Sequence, residues 1–298
     1  MTTRRGFLHT VSAGLLASAA TPFADWRALA AGTDLVRPFK AGLALQLYSL
    51  RQRVKKGDVE GALALTRSFG FTEVEGNAPE GTTAAAFAAQ LKSHGLSAMG
   101  SGVDFGALTA GTLDRATADA QTLGAKYLMC AWIPHGKLLT EADVDKAAPL
   151  FTKAGEACNA AGLTFMYHTH GYEFVPGPGG TLFDTLASRT DPSVVKFEMD
   201  VFWVVRGGGQ PLQLLERYSG RVAATHVKDM RKGTPTGDAT GSAPEETNVV
   251  VGTGVVDWPA LFRASEKAGV AWHIIEDESP DAETQIPQSL RYIASLKP

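Results

Sequence analysis

Cysteine is scarce in this sequence, with 2 residues in a chain of 298. So low a content excludes a disulfide-stapled scaffold and a zinc module built from several cysteines. Positive charge is not in excess either, since 28 lysines and arginines accompany 31 aspartates and glutamates, for a net charge of −3. Nucleic-acid partners require clustered positive charge, so the composition argues against them. Glycine and proline, at 32 and 15 residues, are near average, which excludes collagen-like and low-complexity chains.

Long apolar runs are also missing, although a short one occurs near the N-terminus. Residues 11–20 are mostly apolar, but the run is too short and too interrupted to cross a membrane stably. Residues 4–8, Arg-Arg-Gly-Phe-Leu, precede it and resemble the twin-arginine signal by which bacteria export folded proteins. An ordinary secretory signal whose charged start holds two arginines is the alternative.

Two small-residue cleavage sites accompany this run, at residues 17–19 and 28–30. Cleavage at the second site makes residues 1–30 a removable twin-arginine-type signal peptide and leaves residues 31–298 as the mature domain. We therefore expect a periplasmic or secreted bacterial protein that uses the twin-arginine export machinery and has no stable membrane insertion.

The rest of the chain alternates short apolar, β-branched runs with alanine-rich stretches of helical period. The predicted strands are Leu43–Tyr48, Thr72–Gly76, Leu96–Ser101, Lys126–Trp132, Leu163–His168, Val195–Asp200, Val222–Val227 and Ala271–Glu276. The predicted helices include Thr83–His94, Thr112–Leu123, Glu141–Ala161 and Trp258–Lys267. Eight strand–helix units in about 260 residues predict an α/β fold, a single-domain (β/α)₈ TIM barrel. A doubly wound sheet is disfavoured because no G-x-G-x-x-G motif follows an early strand.

Titratable residues end the last four predicted strands. They are His168, Asp200, His226 and Glu276, on the fifth to eighth strands in that order. Active sites of such barrels lie where the carboxyl ends of the strands meet. Two imidazoles and two carboxylates suit a divalent ion such as Mn²⁺, Co²⁺, Zn²⁺ or Mg²⁺, and the two negative charges would neutralise it. We predict one divalent metal ion at this position.

Several motifs point to a family. The chain resembles the xylose-isomerase-like TIM barrel superfamily, often called sugar phosphate isomerase/epimerase, from about residue 43 to 297. The fifth strand is similar to the Y-H-N-H-x-x-E-F pattern of one branch, with Thr169 in place of asparagine. The segments that carry the resemblance are Leu45–Arg51, Tyr167–Phe174, Asp200–Trp203, His226–Asp229 and Gly252–Trp258.

The resemblance implies a divalent metal on the same four strand-end residues. In the ketose epimerases of this superfamily, glutamates on the fifth and eighth strands ligate the metal and move the proton from opposite faces of the sugar. Glu276 matches the eighth-strand glutamate, whereas His168 stands at the fifth-strand position. A metal-bound imidazole is a poor proton carrier because its lone pair is on the metal. Epimerisation with two bases would therefore need Glu173 or His170 as the second base.

The chemistry expected of such a site is proton abstraction next to a carbonyl. A metal stabilises the enediolate that forms, and a carboxylate removes the proton. We predict a divalent-metal-dependent sugar isomerase or epimerase. A lyase or dehydratase acting on a keto-sugar or 3-keto-glycoside is the alternative, and a carbohydrate-binding barrel without turnover is a further one. A barrel nuclease is disfavoured, since it would need more metal ligands and a basic groove.

Further residues are candidates for catalysis or for contact with a carbohydrate substrate. The predicted catalytic residues are Glu276, Glu173, His170 and Lys228. The predicted substrate-binding residues are Gln46, Tyr48, Glu75, Trp203 and His135. Each also has a structural interpretation, such as an ion pair, a hydrogen bond or core packing. The long polar connection from Met230 to Gly254 predicts a lid, a specificity loop or a contact within a homo-oligomer.

Overall fold

Eight parallel strands form a closed barrel in the computed structural model, which describes residues 37–297. The strands are β1 (Gly42–Gln46), β2 (Glu73–Glu75), β3 (Ser97–Gly102), β4 (Tyr127–Cys130), β5 (Thr164–His168), β6 (Val195–Asp200), β7 (Val222–Val227) and β8 (Trp272–Ile275). Each strand pairs with its sequence neighbours, and β1 closes the ring by pairing with β8. The predicted single-domain TIM barrel is confirmed. The predicted signal peptide, residues 1–30, lies outside the described residues.

A helix follows each strand and packs on the outside of the barrel. The helices are α1 (Val59–Ser68), α2 (Ala84–Ser93), α3 (Leu113–Leu123), α4 (Glu141–Ala160), α5 (Leu182–Arg189), α6 (Pro211–Arg217), α7 (Trp258–Ala268) and α8 (Ala282–Ser295). Shorter helical segments lie at Leu47–Leu50, Arg51–Lys55, Phe105–Ala110, Tyr172–Phe174, Val201–Arg206 and Glu245–Thr247. Among the helices of residues 37–297, none is both long and apolar enough to cross a membrane.

The predicted bounds agree closely with these elements because turn and cap residues mark them. Strands β6 and β7 have the predicted bounds, and the other six agree to within two residues at each end. Thr83 caps α2 by accepting a hydrogen bond from the backbone N–H of Ala86. Thr140 and Asp143 form a reciprocal capping box at the start of α4. Helix α7 ends at Gly269, whose φ of 80° is a left-handed conformation that favours glycine.

Apolar residues form the lower layer of the barrel interior. The six buried members of this layer are Ala44, Met99, Met129, Met166, Ala224 and Ile274. Side chains alternate in direction along a strand, so the next inward position is two residues further on. At that position the residues become polar: His168 follows Met166 on β5, and His226 follows Ala224 on β7. The strand period therefore places a polar layer directly above the apolar one.

The connection after β7 is anchored at both of its ends. Its first and last parts pair as a short antiparallel ribbon, residues 229–230 with 248–249. Asp229 is buried and accepts hydrogen bonds from the backbone N–H groups of Gly252 and Gly254 and from the indole N–H of Trp258. Asp229 thus ties the motif of residues 252–258 to the end of β7, and that motif has a structural role.

The middle of the same connection lies over the mouth of the barrel. Arg206 binds the carboxylate of Asp238 at 2.5 Å, and Arg51 binds that of Glu245 at 2.6 Å. Gly241 lies against Tyr172 and Trp132, and a Cβ atom there would collide with the Tyr172 ring at 2.8 Å. The loop predicted as a lid therefore covers the barrel mouth and is held there by ion pairs. Its use in a subunit contact stays a prediction.

Candidate metal centre and active site

A cavity of about 620 Å³ opens at the carboxyl ends of the barrel strands, above the apolar layer. Eight of the residues that the sequence indicates for the site line it: Gln46, Tyr48, Glu75, His168, His170, Trp203, His226 and Glu276. Asp200 and Lys228 lie directly behind this lining, in contact with His226 and Glu276 respectively. Glu173 and His135 are not part of the lining.

Four strand-end residues converge below this cavity. His168 Nε2 lies 4.0 Å from Oδ2 of Asp200, and His226 Nδ1 lies 3.7 Å from the same oxygen. Glu276 Oε2 is 3.1 Å from His226 Nδ1. His168, Asp200 and His226 are buried and form a group whose ligand atoms could hold a metal ion. The four predicted ligands therefore lie together, each at the end of its own strand.

The donor set fits a divalent cation. Asp200 Oδ1 caps the helical turn at residues 201–206 by accepting from the backbone N–H of Trp203 at 2.9 Å. Its other oxygen, Oδ2, is buried and has no hydrogen-bond partner among the described residues. A cation that bonds each ligand at about 2 Å needs donor atoms roughly 3–4 Å apart, which matches the separations here. Two nitrogens and two carboxylate oxygens suit Zn²⁺, Co²⁺ or Mn²⁺.

Glu198, which sequence reasoning missed, holds the imidazole of His168. Its carboxylate accepts a hydrogen bond from His168 Nδ1 at 2.9 Å and lies 3.3 Å from His226 Nε2. Such carboxylates orient metal-binding imidazoles and fix which ring nitrogen carries the proton. The signal was available, because Glu198 precedes Asp200 by two residues on β6 and therefore faces the same way.

Glu75 completes a second group of acidic and imidazole ligands with Glu198 and His226. Its Oε2 lies 2.9 Å from His226 Nε2 and accepts from the side-chain amide of Gln46 at 2.7 Å. Burial, together with the nearby charge of Glu198, raises the pKa of Glu75 to about 7. Burial alone would lower the pKa of His226, but Glu198 and Glu276 raise it well above its usual value.

Lys228 is a buried cation behind the cavity. Its Nζ lies 3.2 Å from Glu276 Oε2, 2.5 Å from Glu278 Oε1 and 3.8 Å from Asp200 Oδ2. Burial opposes its charge, yet Glu276 and the other carboxylates raise its pKa, so Lys228 stays protonated. Against the opposing effect of burial, Lys228 and His226 hold the pKa of Glu276 well below its usual value. A surface ion pair of Lys228 with Asp229 is not formed, since both are buried and Asp229 faces the motif of residues 252–258.

His170 and Trp203 form an aromatic wall of the cavity. Their rings stack with centroids 4.4 Å apart and an interplanar angle of 22°. Burial lowers the pKa of His170 to about 3, so the imidazole is neutral at physiological pH. Lys228 Nζ lies 5.1 Å from the centroid of the Trp203 indole ring, within cation–π range. This wall offers a flat apolar surface beside the candidate metal centre.

Glu173 contacts the interior of its own loop. It accepts hydrogen bonds from the Tyr167 hydroxyl at 2.5 Å and from the backbone N–H of His170 at 2.9 Å. The side chain is fully buried and does not reach the cavity. The geometry favours the structural interpretation of this residue, in which it shapes the turn that follows β5.

His135 belongs to an aromatic cluster next to the cavity. Its ring stacks on Trp132 with centroids 4.9 Å apart, and its Nδ1 lies 2.7 Å from the carbonyl oxygen of Ile133. Tyr48 follows β1 within a helical turn and is 51% exposed. Tyr48 therefore meets the cavity at its mouth, whereas Gln46 lies deep within it.

Thr169, which departs from the asparagine of the branch pattern, has a clear local function. Its hydroxyl oxygen accepts a hydrogen bond from the backbone N–H of Asp200 at 3.1 Å. This contact links the end of β5 to the end of β6, where Asp200 supplies its carboxylate. A hydroxyl is sufficient for this linkage, so the change from asparagine leaves the candidate metal centre intact.

The chain is similar to several known proteins. Over 156 residues it is 26% identical to an inosose dehydratase of Lacticaseibacillus casei, and the matched segment covers 50% of this chain and 51% of that protein. Other inosose dehydratases match over about a third of their length. Among solved structures, a sugar phosphate isomerase/epimerase of Parabacteroides distasonis superposes with a TM-score of 0.71 at 23% identity, over 86% of this chain and 98% of that one.

A second solved structure has the same fold. It is the IolI protein with a bound zinc atom, with a TM-score of 0.66 at 14% identity, over 85% of this chain and 98% of that one. The family model described as xylose isomerase-like TIM barrel matches residues 63–296, which is most of the chain. The closed eight-stranded barrel and the extent of this match lead to one conclusion: the chain belongs to the xylose isomerase-like TIM barrel family.

Proposed function

We propose that this protein is a divalent-metal-dependent lyase that eliminates a β-oxygen substituent from a keto-sugar or keto-cyclitol. The observation that carries the proposal is the asymmetry of the site. Glu276, directly after β8, is a carboxylate that lines the cavity, while the facing position on β5 is His168, whose Nδ1 donates to Glu198. One base suffices for elimination, whereas epimerisation with two bases needs a base on each face of the substrate.

The residues that would hold the ion are His168, Asp200, His226 and Glu276. When bound, a divalent ion supplies Lewis-acid polarisation of a substrate carbonyl, which acidifies the adjacent C–H bond. Glu198 accepts a hydrogen bond from Nδ1 of His168, and Glu75 lies 2.9 Å from Nε2 of His226. Each of these nitrogens is the one that faces away from Asp200, so the two carboxylates keep the imidazoles oriented.

Glu276 is the proposed base. Within residues 37–297, its contacts with His226 and Lys228 are all made by Oε2. Oε1 is therefore available to take the proton next to the carbonyl. Lys228 and His226 keep the carboxylate ionised, since its pKa is held well below the usual value. A carboxylate that is always deprotonated at neutral pH can accept a proton without first losing one.

Glu278 is the group best placed to give a proton to the departing oxygen. It follows Glu276 by two residues, lines the same cavity and contacts Lys228. Burial raises the pKa of Glu278, although Lys228 opposes this effect. The neutral His170 and the indole of Trp203 flank the same space and would pack against the apolar face of a ring.

An isomerase or epimerase is the second candidate, and Glu75 is the observation that favours it. Glu75 lines the cavity, and its pKa of about 7 suits a group that both gives and takes a proton near neutral pH. The relatives named inosose dehydratase support the lyase instead, over the half of the chain that they match. We further propose that the twin-arginine-type leader exports the folded barrel to the periplasm.

The test follows deuterium in a panel of substrates. Purified protein with Mn²⁺, Co²⁺ or Zn²⁺ is incubated in D₂O with inososes, free ketoses and 3-keto-glucosides, and the products are followed by NMR. A dehydrated or cleaved product is expected, together with its loss in the Glu276→Gln variant. Glu216→Gln, at an exposed position of α6, is the matched control. Exchange without elimination would favour the isomerase, and no exchange with any substrate would favour a binding protein.

A further inference from the structure

The cavity has an apolar half that the proposed chemistry does not use. Leu47, Val54, Val59, Leu63, Pro79 and Phe87 line it, and we name this region the apolar arm. The residues come from the segment after β1, from α1, from the segment between β2 and α2, and from α2 itself. Leu63 and Phe87 are fully buried, whereas Val54 and Val59 are half-buried.

The arm and the polar half form one cavity. Tyr48 directly follows Gln46 of the polar half and Leu47 of the arm in the chain, and it is 51% exposed. Volumes of about 300–1,000 Å³ are typical of pockets that enclose drug-sized ligands. At about 620 Å³, the whole cavity is larger than a single sugar ring at the metal centre would require.

The charged groups near the arm are already paired. Arg51 donates to the carboxylate of Glu245 and to the backbone oxygens of Glu278 and Tyr48. Asn77 accepts from the backbone N–H of Gly102 at 2.6 Å. With its one arginine engaged and carboxylates at Glu245 and Glu278, this half of the cavity does not suit a phosphate group.

We propose that the apolar arm binds an uncharged apolar substituent, aromatic or branched alkyl, on the ring that sits at the metal centre. The substrate would then be a neutral glycoside or ether of a keto-sugar rather than a free sugar or a sugar phosphate. This inference rests on the proposed function, because it assigns the arm and the polar half to one substrate molecule. Tyr48, at the junction of the two halves, would contact the bond between the ring and its substituent.

The experiment compares two ligands that differ only in the substituent. Methyl and phenyl β-D-glucopyranoside are titrated into the metal-loaded protein by calorimetry, and saturation-transfer NMR records which protons approach the protein. The phenyl glycoside binds about tenfold more tightly, in line with the discrimination that an apolar pocket gives. Its phenyl protons receive the strongest saturation. Equal affinities, or no binding of either glycoside, would overturn the proposal.

A variant that fills the arm tests the location. Val59→Phe removes the preference for the phenyl glycoside and leaves the affinity for the methyl glycoside unchanged. The matched control is Val255→Phe, at a valine that is 44% exposed and lies outside this cavity. Thermal unfolding shows whether both variants are folded. If Val59→Phe is not folded, the saturation-transfer NMR experiment on the wild-type protein decides whether the arm binds the phenyl group.

The same ligands separate this inference from the proposed function. A preference for the phenyl glycoside without turnover of any keto-sugar leaves the apolar arm in place and refutes the lyase. Turnover of methyl and phenyl 3-keto-glucosides with the same KM supports the lyase and refutes the arm. The arm predicts a lower KM for the phenyl substrate, and Val59→Phe should remove that difference. The kcat values do not test the arm, because phenoxide leaves more readily than methoxide.

Discussion

Nδ1 of His168 donates a hydrogen bond to the carboxylate of Glu198 at 2.9 Å. Glu198 is fully buried, so this interaction fixes the ring with Nε2 turned toward Asp200. Removing such a supporting carboxylate typically lowers metal affinity by about 10–100-fold. We expect Glu198→Gln to lose affinity for Zn²⁺ or Co²⁺ by that factor in a calorimetric titration. Glu216→Gln is the control, and unchanged affinity in Glu198→Gln would show that the contact has no such role.

Lys228 is expected to set the protonation state of Glu276. The Lys228→Met variant keeps the length of the side chain but removes its charge, so the pKa of Glu276 rises toward its usual range. We expect kcat to fall by about 10–100-fold and the acid limb of the pH–rate profile to move to higher pH. Lys232→Met, at an exposed lysine four residues further along, is the control. An acid limb that does not move would contradict this role.

Asp229 is expected to stabilise the fold. Its carboxylate accepts hydrogen bonds from three backbone N–H groups of the motif at residues 252–258, those of Gly252, Gly254 and Val256, and from the Trp258 indole N–H. In Asp229→Asn an amide replaces one acceptor oxygen, which leaves buried donors unpaired. We expect a loss of about 3 kcal/mol in the free energy of unfolding, measured in urea. Asp114→Asn, at an exposed position of α3, should change it by less than about 0.5 kcal/mol.

His273 provides a pH-dependent term in stability, away from the candidate metal centre. It is buried against Phe39 and Phe262, and its Nδ1 lies 2.7 Å from the hydroxyl of Thr225. Burial lowers its pKa to about 3, from a value near 6.5 in the unfolded chain. Between these values the unfolded chain binds a proton that the native protein does not. The stability that the neutral, buried His273 contributes is therefore complete above pH 6.5 and is lost as the pH falls toward 3.

The measurement compares wild type with His273→Asn, which keeps a polar atom near the Thr225 hydroxyl. The difference in unfolding free energy between the two proteins should shrink by up to about 1.4 kcal/mol for each pH unit below 6.5. His170, whose pKa is also lowered, is present in both proteins, so its contribution cancels when the two unfolding free energies are subtracted. A difference that stays constant from pH 7 to pH 4 would refute the assignment.

The fold and the strand-end residues could be predicted because both follow from local rules. Alternation along the strands predicts that His226 faces inward above Ala224, and the barrel brings the strand ends together. Glu198 obeys the same rule, since it lies two residues before Asp200 on β6 and faces the same way. Glu173 could not be assigned in this way, since the helical turn at Tyr172–Phe174 rotates its side chain toward Tyr167.

Tertiary packing accounts for the rest. The burial of Lys228 depends on Glu276 and Glu278, which lie about 50 residues away along the chain. The apolar arm is formed by side chains from α1 and α2 and from the segments after β1 and β2, whose approach no local pattern encodes. In the sequence, nothing distinguishes Val59 and Phe87 from other apolar residues of helices. Only the fold of the barrel brings them to a common cavity.

The central claim is that His168, Asp200, His226 and Glu276 hold one divalent ion. Metal analysis of the purified protein, combined with calorimetric titration of Zn²⁺ and Co²⁺, tests it most directly. The account predicts about one ion per chain, and its loss in His226→Ala but not in His94→Ala, whose histidine pairs with Glu60 on the surface. Retention of the ion by a folded His226→Ala protein would contradict the account.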